Sequence, residues 1–253
     1  MSSGRVSPLF GAKNSSENLV DWKKKFVEKN CNEDLIEYVL KQKKIKDYDN
    51  LYSRFSVLPD DTRCDIQNPW ELFCLSGETE AFDFAANEID EECRMTKESV
   101  GKWGVTPLHL SAASGSPDQL QRAIDLGIAW DTETLGKMNI LHYAAMGSAK
   151  QIDKVLQLEK DNKHVLSRTD QDKRTALHIA SAIGSVEIIE KTLTFTEIKS
   201  HDSYGCNPLD YATKKNRTDA EAYLKSKGLV LSENYNQHSF GDFEQPQQRL
   251  QNN

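Results

Sequence analysis

Cysteine and histidine are the residues of this chain whose chemistry would best suit a catalytic or metal site. The five cysteines are widely spaced, with no C-x-x-C pair and no Cys/His pair at zinc-ligand spacing: Cys31, Cys64, Cys74, Cys93 and Cys206. An odd number leaves at least one thiol unpaired within the chain, and the pattern favours reduced thiols in a cytosolic protein. The sequence therefore predicts no metal site and no cofactor.

Histidine is the second candidate, because its ordinary pKa lies near neutral pH. Three of the six histidines recur in one local context, directly after a leucine and three residues after a Thr or an Asn: His109, His142 and His178. No G-x-S-x-G, P-loop, G-x-G-x-x-G or H-E-x-x-H motif accompanies them. The sequence predicts a protein that is not an enzyme, and the catalytic alternative is a site built from residues before Asn68.

The composition excludes several classes of function. The 253 residues carry 32 Lys+Arg against 39 Asp+Glu, so the net charge is −7 and a nucleic-acid partner is not expected. No apolar run reaches the roughly 18 residues of a membrane-spanning helix, and the N-terminus lacks the apolar core of a secretory signal. We expect a soluble, cytoplasmic protein that is monomeric when alone.

Internal repetition is the strongest feature of the sequence. Five segments align, each with its third residue as an anchor: NPWELFCLSG with Trp70, TPLHLSAASG with Leu108, NILHYAAMG with Leu141, TALHIASAIG with Leu177 and NPLDYATKKN with Leu209. The anchors are 38, 33, 36 and 32 residues apart. These segments resemble the ankyrin repeat, whose period is about 33 residues and whose first helix opens T-P-L-H-x-A. The resemblance implies an all-α ankyrin-repeat solenoid of stacked helix-turn-helix units with β-turn tips, over residues 65–231.

The residues of each unit predict a helix pair on physical grounds as well. Thr106 is a good N-cap, and Pro107 is tolerated in the first turn because its missing N–H would have no helical partner there. Gly115 and Gly184 are suited to the left-handed residue that ends a helix. One helix pair cannot bury its apolar face alone, so the units are expected to stack on one another.

Some units depart from the common pattern. Gly147 comes one residue early in the third unit, which predicts a shortened first helix. Trp70 and Glu71 replace Leu-His in the first unit, and Asp210 replaces His in the fifth; both changes are typical of capping repeats. Extra residues predict longer turns after second helices in two places: 91–100 and 161–167.

The segment before the repeats, 18–64, predicts an N-terminal helical cap. Apolar residues at helical spacing indicate three amphipathic helices, around Trp22, Leu35 and Phe55, which we expect to cover the first repeat. Leu58 begins the sequence LPDD, which resembles the start of an F-box, a module that docks to ubiquitin-ligase adaptors. A turn leading into the repeats is favoured, since Pro69 would break the following helix.

The two ends of the chain are expected to lack a packed structure. Residues 1–17 are expected to form a flexible N-terminus. Residues 232–253 are rich in Asn, Gln and Ser, a composition that cannot bury enough apolar surface to offset the entropy of ordering. We therefore expect a disordered polar tail.

The ankyrin resemblance implies non-catalytic recognition of a protein partner, as an adaptor or scaffold, through a concave face of turn tips and first helices. It also implies a structural role for the Leu-His histidines. The candidate partner-binding residues are those placed on the concave face: Lys102, Trp103, Met138, Tyr143, Met146, Asp172, Lys173, Ile183, Tyr204 and Lys214. Trp and Tyr are enriched among binding hot spots. The alternative is that Trp103 packs over the preceding insertion and Tyr204 packs on its own turn.

Two further hypotheses concern the identity of the partner. The first is a bacterial effector-type ankyrin protein that acts on host proteins in the host cytosol, with the polar tail as a possible export signal. The second is a ubiquitin-ligase adaptor, or an enzyme, that uses the N-terminal region. The sequence does not distinguish these from a cytoplasmic scaffold.

Overall fold

The computed structural model describes residues 16–29, 31–58, 66–158 and 165–235. Within these ranges the chain forms helices and turns and no β-strand. Several residues considered in the sequence analysis lie outside the described residues: Cys64, two of the six histidines (His164 and His238), most of the F-box-like segment, and parts of both chain ends.

Three helices precede the repeats: α1 (Ser16–Val27), α2 (Glu33–Gln42) and α3 (Tyr48–Val57). Asn32 caps α2 by accepting a hydrogen bond from the Leu35 N–H at 2.9 Å, as its position before two acidic residues indicates. The buried rings of Phe26 and Phe55 lie 5.1 Å apart between α1 and α3. The predicted amphipathic helices are therefore confirmed.

Five helix pairs follow: α4 (Pro69–Leu75) with α5 (Thr79–Asn87), α6 (Pro107–Ala113) with α7 (Pro117–Asp125), α8 (Ile140–Ala144) with α9 (Ala149–Leu158), α10 (Ala176–Ile183) with α11 (Val186–Thr192), and α12 (Pro208–Lys214) with α13 (Thr218–Ser226). Each first helix packs on the first helix of the next pair, and each second helix does the same. Helices α2 and α3 pack on α4 and so cover the open side of the first pair. The result is a helical solenoid.

The anchor leucines form the centre of the stack. Leu108, Leu141, Leu177 and Leu209 are each at most 2% exposed. Burial of a leucine side chain contributes about 1.5–3 kcal/mol, and here each leucine is enclosed by its own pair and its neighbours. The core is therefore continuous along the stack, which explains why a single pair would not be stable alone.

Polar contacts also join neighbouring pairs. Gln151 of α9 is fully buried, and its Nε2 donates to the carbonyl of Ser111 in the preceding pair at 2.6 Å. Gln119 of α7 donates in the same way to the carbonyl of Cys74. A buried amide with a partner fixes the relative position of two pairs, because leaving either group unpaired costs about 1–3 kcal/mol.

The predicted irregularities have clear structural counterparts. Helix α8 has five residues, whereas the first helices of the other pairs have seven or eight, because Gly147 comes early. The extra residues after α5 contain a short 3₁₀ turn, Glu91–Cys93. The second insertion lies partly outside the described residues.

Candidate functional site

The turns that precede the first helices form a row along one side of the stack. We number each hairpin by the helix pair that it precedes, which gives hairpins 2 to 5: 101–105, 134–138, 170–174 and 202–206. In each, the N–H of the first residue donates to the carbonyl of the fifth at 2.8–3.0 Å. Backbone hydrogen bonds also join successive hairpins, from Leu135 to Trp103 at 2.8 Å, from Gln171 to Gly136 at 3.0 Å and from Ser203 to Asp172 at 2.7 Å. The hairpin row is therefore a rigid support for the side chains at its tips.

One position in each hairpin adopts the left-handed conformation. Gly104 and Gly205 occupy it in hairpins 2 and 5, with φ of 75° and 78°. Lys137 and Lys173 occupy it in hairpins 3 and 4, each with φ of 59°. A side chain in this region is strained relative to glycine. Both lysines are exposed, so two cations lie at equivalent points of neighbouring tips.

The histidines predicted to be structural are held inside the stack. The Nδ1 atoms of His109, His142 and His178 accept the backbone N–H of their own N-cap residues at 3.1–3.2 Å. The Nε2 of His142 bonds the carbonyl of Arg174 at 3.1 Å, and that of His178 bonds the carbonyl of Cys206 at 3.3 Å. Each of these two histidines therefore ties its first helix to the next hairpin, which confirms their structural role.

Burial keeps these imidazoles neutral. Desolvation lowers the pKa of His109 and of His178 to about 4, and it lowers the pKa of His142 as well. In the first and fifth units, Glu71 and Asp210 take the place of the histidine and accept the N-cap N–H at 2.8 and 2.7 Å. An acceptor at this position is therefore common to all five units.

Three of the four thiols among the described residues are poorly suited to nucleophilic chemistry, and the fourth, Cys93, is half-buried. Cys31, Cys74 and Cys206 are buried, at most 4% exposed. Burial raises the pKa of Cys31 to about 12, that of Cys206 to about 11, and that of Cys74 well above its ordinary value. The thiolate is the reactive form, so these groups are inert near neutral pH.

Acidic residues stabilise hairpins 4 and 5 from within. Asp170 is buried, accepts the N–H of Arg174 at 2.8 Å, and binds the Arg174 guanidinium at 2.6 Å. Asp202 accepts the N–H groups of Tyr204 and Cys206 at 2.9 and 2.8 Å and the hydroxyl of Tyr211 at 2.7 Å. Both carboxylates are therefore occupied by hydrogen bonds within the chain and are not available to a partner.

Seven of the ten candidate partner-binding residues have side chains that reach the surface. Two are exposed: Lys102 and Lys173. Five are half-buried: Trp103, Asp172, Ile183, Tyr204 and Lys214. Trp103 and Tyr204 each have one part of the ring at the surface and another part packed. Trp103 packs against the main core, and Tyr204 packs against Ala182, Cys206 and Tyr211.

Three of the candidate residues are buried, which corrects the sequence interpretation. Met138 is 5% exposed because, like Val105 and Cys206 at the equivalent position before an N-cap, it faces the core. Tyr143 is 1% exposed, and its ring packs 4.9 Å from the ring of His109 in the preceding pair. Met146 is 1% exposed at the end of the shortened α8, where the Arg54 guanidinium lies against its carbonyl. These three side chains do not contribute to a binding surface.

One exposed apolar residue was missed. Leu135 of hairpin 3 is 66% exposed. An alignment of the four hairpin sequences could have predicted it, because the residues equivalent to Leu135 in the other hairpins are polar: Lys102, Gln171 and Ser203. An apolar side chain that replaces a polar one at a turn tip is unusual, and it stands next to Trp103.

Arg54 of α3 connects the N-terminal helices to the third pair. Its Nη1 donates to the carbonyl of Gly147 at 3.1 Å and to that of Met146 at 3.4 Å. The guanidinium also lies against Gly115, where a side chain would collide with it. Nearby, the Asn50 amide donates to the Ser76 carbonyl at 2.9 Å. Helix α3 therefore contacts the ends of the first helices in three successive pairs, beyond the single repeat that it was expected to cap.

The substitution Arg54→Met is expected to lower the free energy of unfolding by about 2 kcal/mol. It keeps the apolar stem but leaves the carbonyls at the end of α8 without a charged donor. Urea denaturation at neutral pH measures the change. Arg122→Met is the matched control, because the Arg122–Asp83 pair at 2.9 Å is about half exposed and such pairs contribute about 0–1 kcal/mol. Equal effects of the two substitutions would contradict the assigned role of Arg54.

The described residues contain neither a cluster of metal ligands nor a membrane-spanning helix. No three His, Cys, Asp or Glu side chains in the described ranges are grouped as metal ligands. Among the helices that the structure describes, none is both long and apolar enough to cross a membrane.

Comparison with known proteins matches the later units of the solenoid to a known family. A family model described as ankyrin repeats (3 copies) matches residues 150–234, which contain α10 to α13 and hairpins 4 and 5. The chain is also similar to the tyrosine-protein kinase Shark of Drosophila melanogaster, with 30% identity over 131 residues. That alignment covers 49% of this chain and 14% of the kinase, so the chain spans a small part of the relative's length.

Proposed function

This chain is an ankyrin-repeat protein, and we propose that it is a non-catalytic adaptor or scaffold that binds a protein partner through the hairpin row and the adjoining first helices. The hydrogen-bonded hairpin row is the observation that carries the proposal. A rigid support reduces the entropy lost on binding, because its side chains are already held in place. Ankyrin repeats are generally an interaction fold without catalysis, and similarity to one segment of a kinase does not bring kinase activity to this chain.

The three buried, inert thiols and the neutral, backbone-bonded histidines support a non-catalytic role. The N-terminal helices are assigned a capping role, since their apolar residues are buried among themselves and against α4. This favours a scaffold over a ligase adaptor or an enzyme that uses the N-terminal region. A cytoplasmic location is part of the proposal.

Trp103 and Tyr204 are the proposed aromatic anchors. Their replacement in a Trp103→Ala/Tyr204→Ala variant is expected to weaken partner binding by at least about 30-fold, the effect of losing one hot spot. Affinity capture with the wild type and the variant, followed by titration of the captured protein, measures the difference. Lys150→Ala, on the exposed side of α9, is the control and should leave binding unchanged.

Thermal unfolding separates binding from packing. An unchanged melting midpoint together with lost binding supports the role as anchors. A fall of several degrees assigns the two rings to packing, and undiminished binding would refute this location of the surface.

A further inference from the structure

We propose that the partner offers an acidic segment that carries large apolar side chains, and that this segment binds across the tips of hairpins 2, 3 and 4. The inference rests on the proposed function, and it adds the chemical class of the partner and the place where it binds. Two features of the tips carry it: an electropositive cleft, and an apolar pair beside that cleft made of the exposed Leu135 and the half-buried Trp103.

The cleft lies between hairpins 3 and 4 and has a volume of about 750 Å³. Lys137, Arg168 and Lys173 line it together with two acidic residues, Glu133 and Asp170. Both acids are already paired, since Glu133 binds Arg168 at 2.9 Å and Asp170 binds Arg174 at 2.6 Å. Asp172 at the tip of hairpin 4 also lies 3.7 Å from Arg174. Four cations therefore face three carboxylates at and around the cleft, which leaves a net charge of +1.

Lys137 and Lys173 are the cations of the cleft that have no ion-pair partner among the described residues. The protein has a net charge of −7, so a local excess of positive charge is a departure from its general surface. Such a cleft attracts a carboxylate-rich partner and disfavours a basic one.

The backbone conformation fixes the direction in which both lysine side chains leave the main chain. They occupy the same left-handed position in successive hairpins, and the hairpins are joined by the hydrogen bond from Gln171 to Gly136. The lysines are therefore one repeat apart and are presented in the same way. An extended peptide advances about 3.3 Å per residue, so acidic side chains a few residues apart can reach both.

The apolar pair, Leu135 and Trp103, is the reason why the acidic segment is proposed to carry large apolar side chains as well. Leu135 is 66% exposed, and its N–H donates to the carbonyl of the half-buried Trp103 at 2.8 Å. The two side chains belong to adjacent tips, on the hairpin 2 side of the cleft. Each apolar group that a partner places there removes surface of both molecules from water.

The probe for this proposal is a fluorescein-labelled peptide of four Glu-Asp-Phe units, titrated with the full chain by fluorescence anisotropy. A peptide of four Lys-Arg-Phe units serves as the opposite-charge comparison. We expect the acidic peptide to bind, the basic peptide to bind at least about tenfold more weakly, and the affinity for the acidic peptide to fall as the salt concentration rises.

The variant Lys137→Gly/Lys173→Gly removes both charges without straining the hairpins, because glycine holds this position in hairpins 2 and 5. It is expected to weaken binding of the acidic peptide about tenfold, as the loss of two exposed charge contacts predicts. Lys150→Gln/Lys227→Gln removes the same charge from α9 and from the end of α13, and should change binding less than about twofold. Leu135→Ser should weaken binding about fivefold without altering the melting midpoint.

Equal binding of the two peptides, or equal effects of the two lysine pairs, would overturn the proposal. The Trp103→Ala/Tyr204→Ala variant tests the proposed function separately from the peptide titration. If that variant loses partner binding but the acidic peptide does not bind, the location of the binding surface is supported and only the acidic segment is rejected.

Discussion

Acidification from pH 6.5 to pH 4 is expected to lower the free energy of unfolding by about 3 kcal/mol for each of His109 and His178. The pKa of a histidine is about 6.5 in the unfolded chain and about 4 at these two buried sites. The unfolded state therefore takes up protons first as the pH falls. This contribution to stability is fully present above pH 6.5 and is lost as the pH approaches 4.

The surroundings of the two histidines explain the size of the effect. Desolvation is the main cause at both sites. Near His178, Asp202 and Asp170 raise its pKa and Arg174 lowers it, whereas near His109 the charged form of His142 lowers the pKa further. Neither histidine has a carboxylate as a direct hydrogen-bond partner among the described residues, so the carboxylates near His178 offset only part of the cost of desolvating its charged form.

Urea denaturation at pH 7, 5.5 and 4 measures this dependence on pH. His178→Gln keeps an oxygen acceptor for the N-cap N–H, as Glu71 does in the first unit, and should reduce the slope of stability against pH. His201→Gln, which replaces an exposed imidazole by the same side chain, is the control. A free energy of unfolding that stays constant between pH 7 and pH 5 would contradict the assignment.

The substitution Leu177→Ala is expected to lower the free energy of unfolding by about 2–5 kcal/mol. Leu177 has no exposed surface, and α10 packs against α8, α11 and α12. Truncation removes buried apolar surface and leaves a cavity that neighbouring helices cannot fill completely, because each is also held by the next pair. The loss should be felt in the third, fourth and fifth units together.

Leu135→Ala is the matched control, because it removes the same atoms from a side chain that is 66% exposed. It should change stability by less than about 0.5 kcal/mol. Differential scanning calorimetry of the wild type and both variants measures the midpoints and the cooperativity. An unchanged midpoint for Leu177→Ala would refute the stacking of the anchor leucines.

The amino-acid sequence by itself determined the helix pairs and their order. N-caps, prolines in the first turn and glycines after the helices act within a few residues, so Thr106 and Gly184 signal the same boundaries in the sequence and in the structure. The same is true of the shortened α8, which follows from the position of Gly147. The period of the anchors then predicted that the pairs stack.

The tertiary structure decided which side chains remain at the surface. Tyr143 and Met146 occupy positions that the repeat pattern assigns to the concave face, but a ring of the preceding pair covers one, and Arg54 lies against the carbonyl of the other. Arg54 lies 92 residues before Met146, and no local pattern encodes a contact over that distance. Exposure depends on which distant elements pack nearby, whereas helix boundaries depend on neighbouring residues.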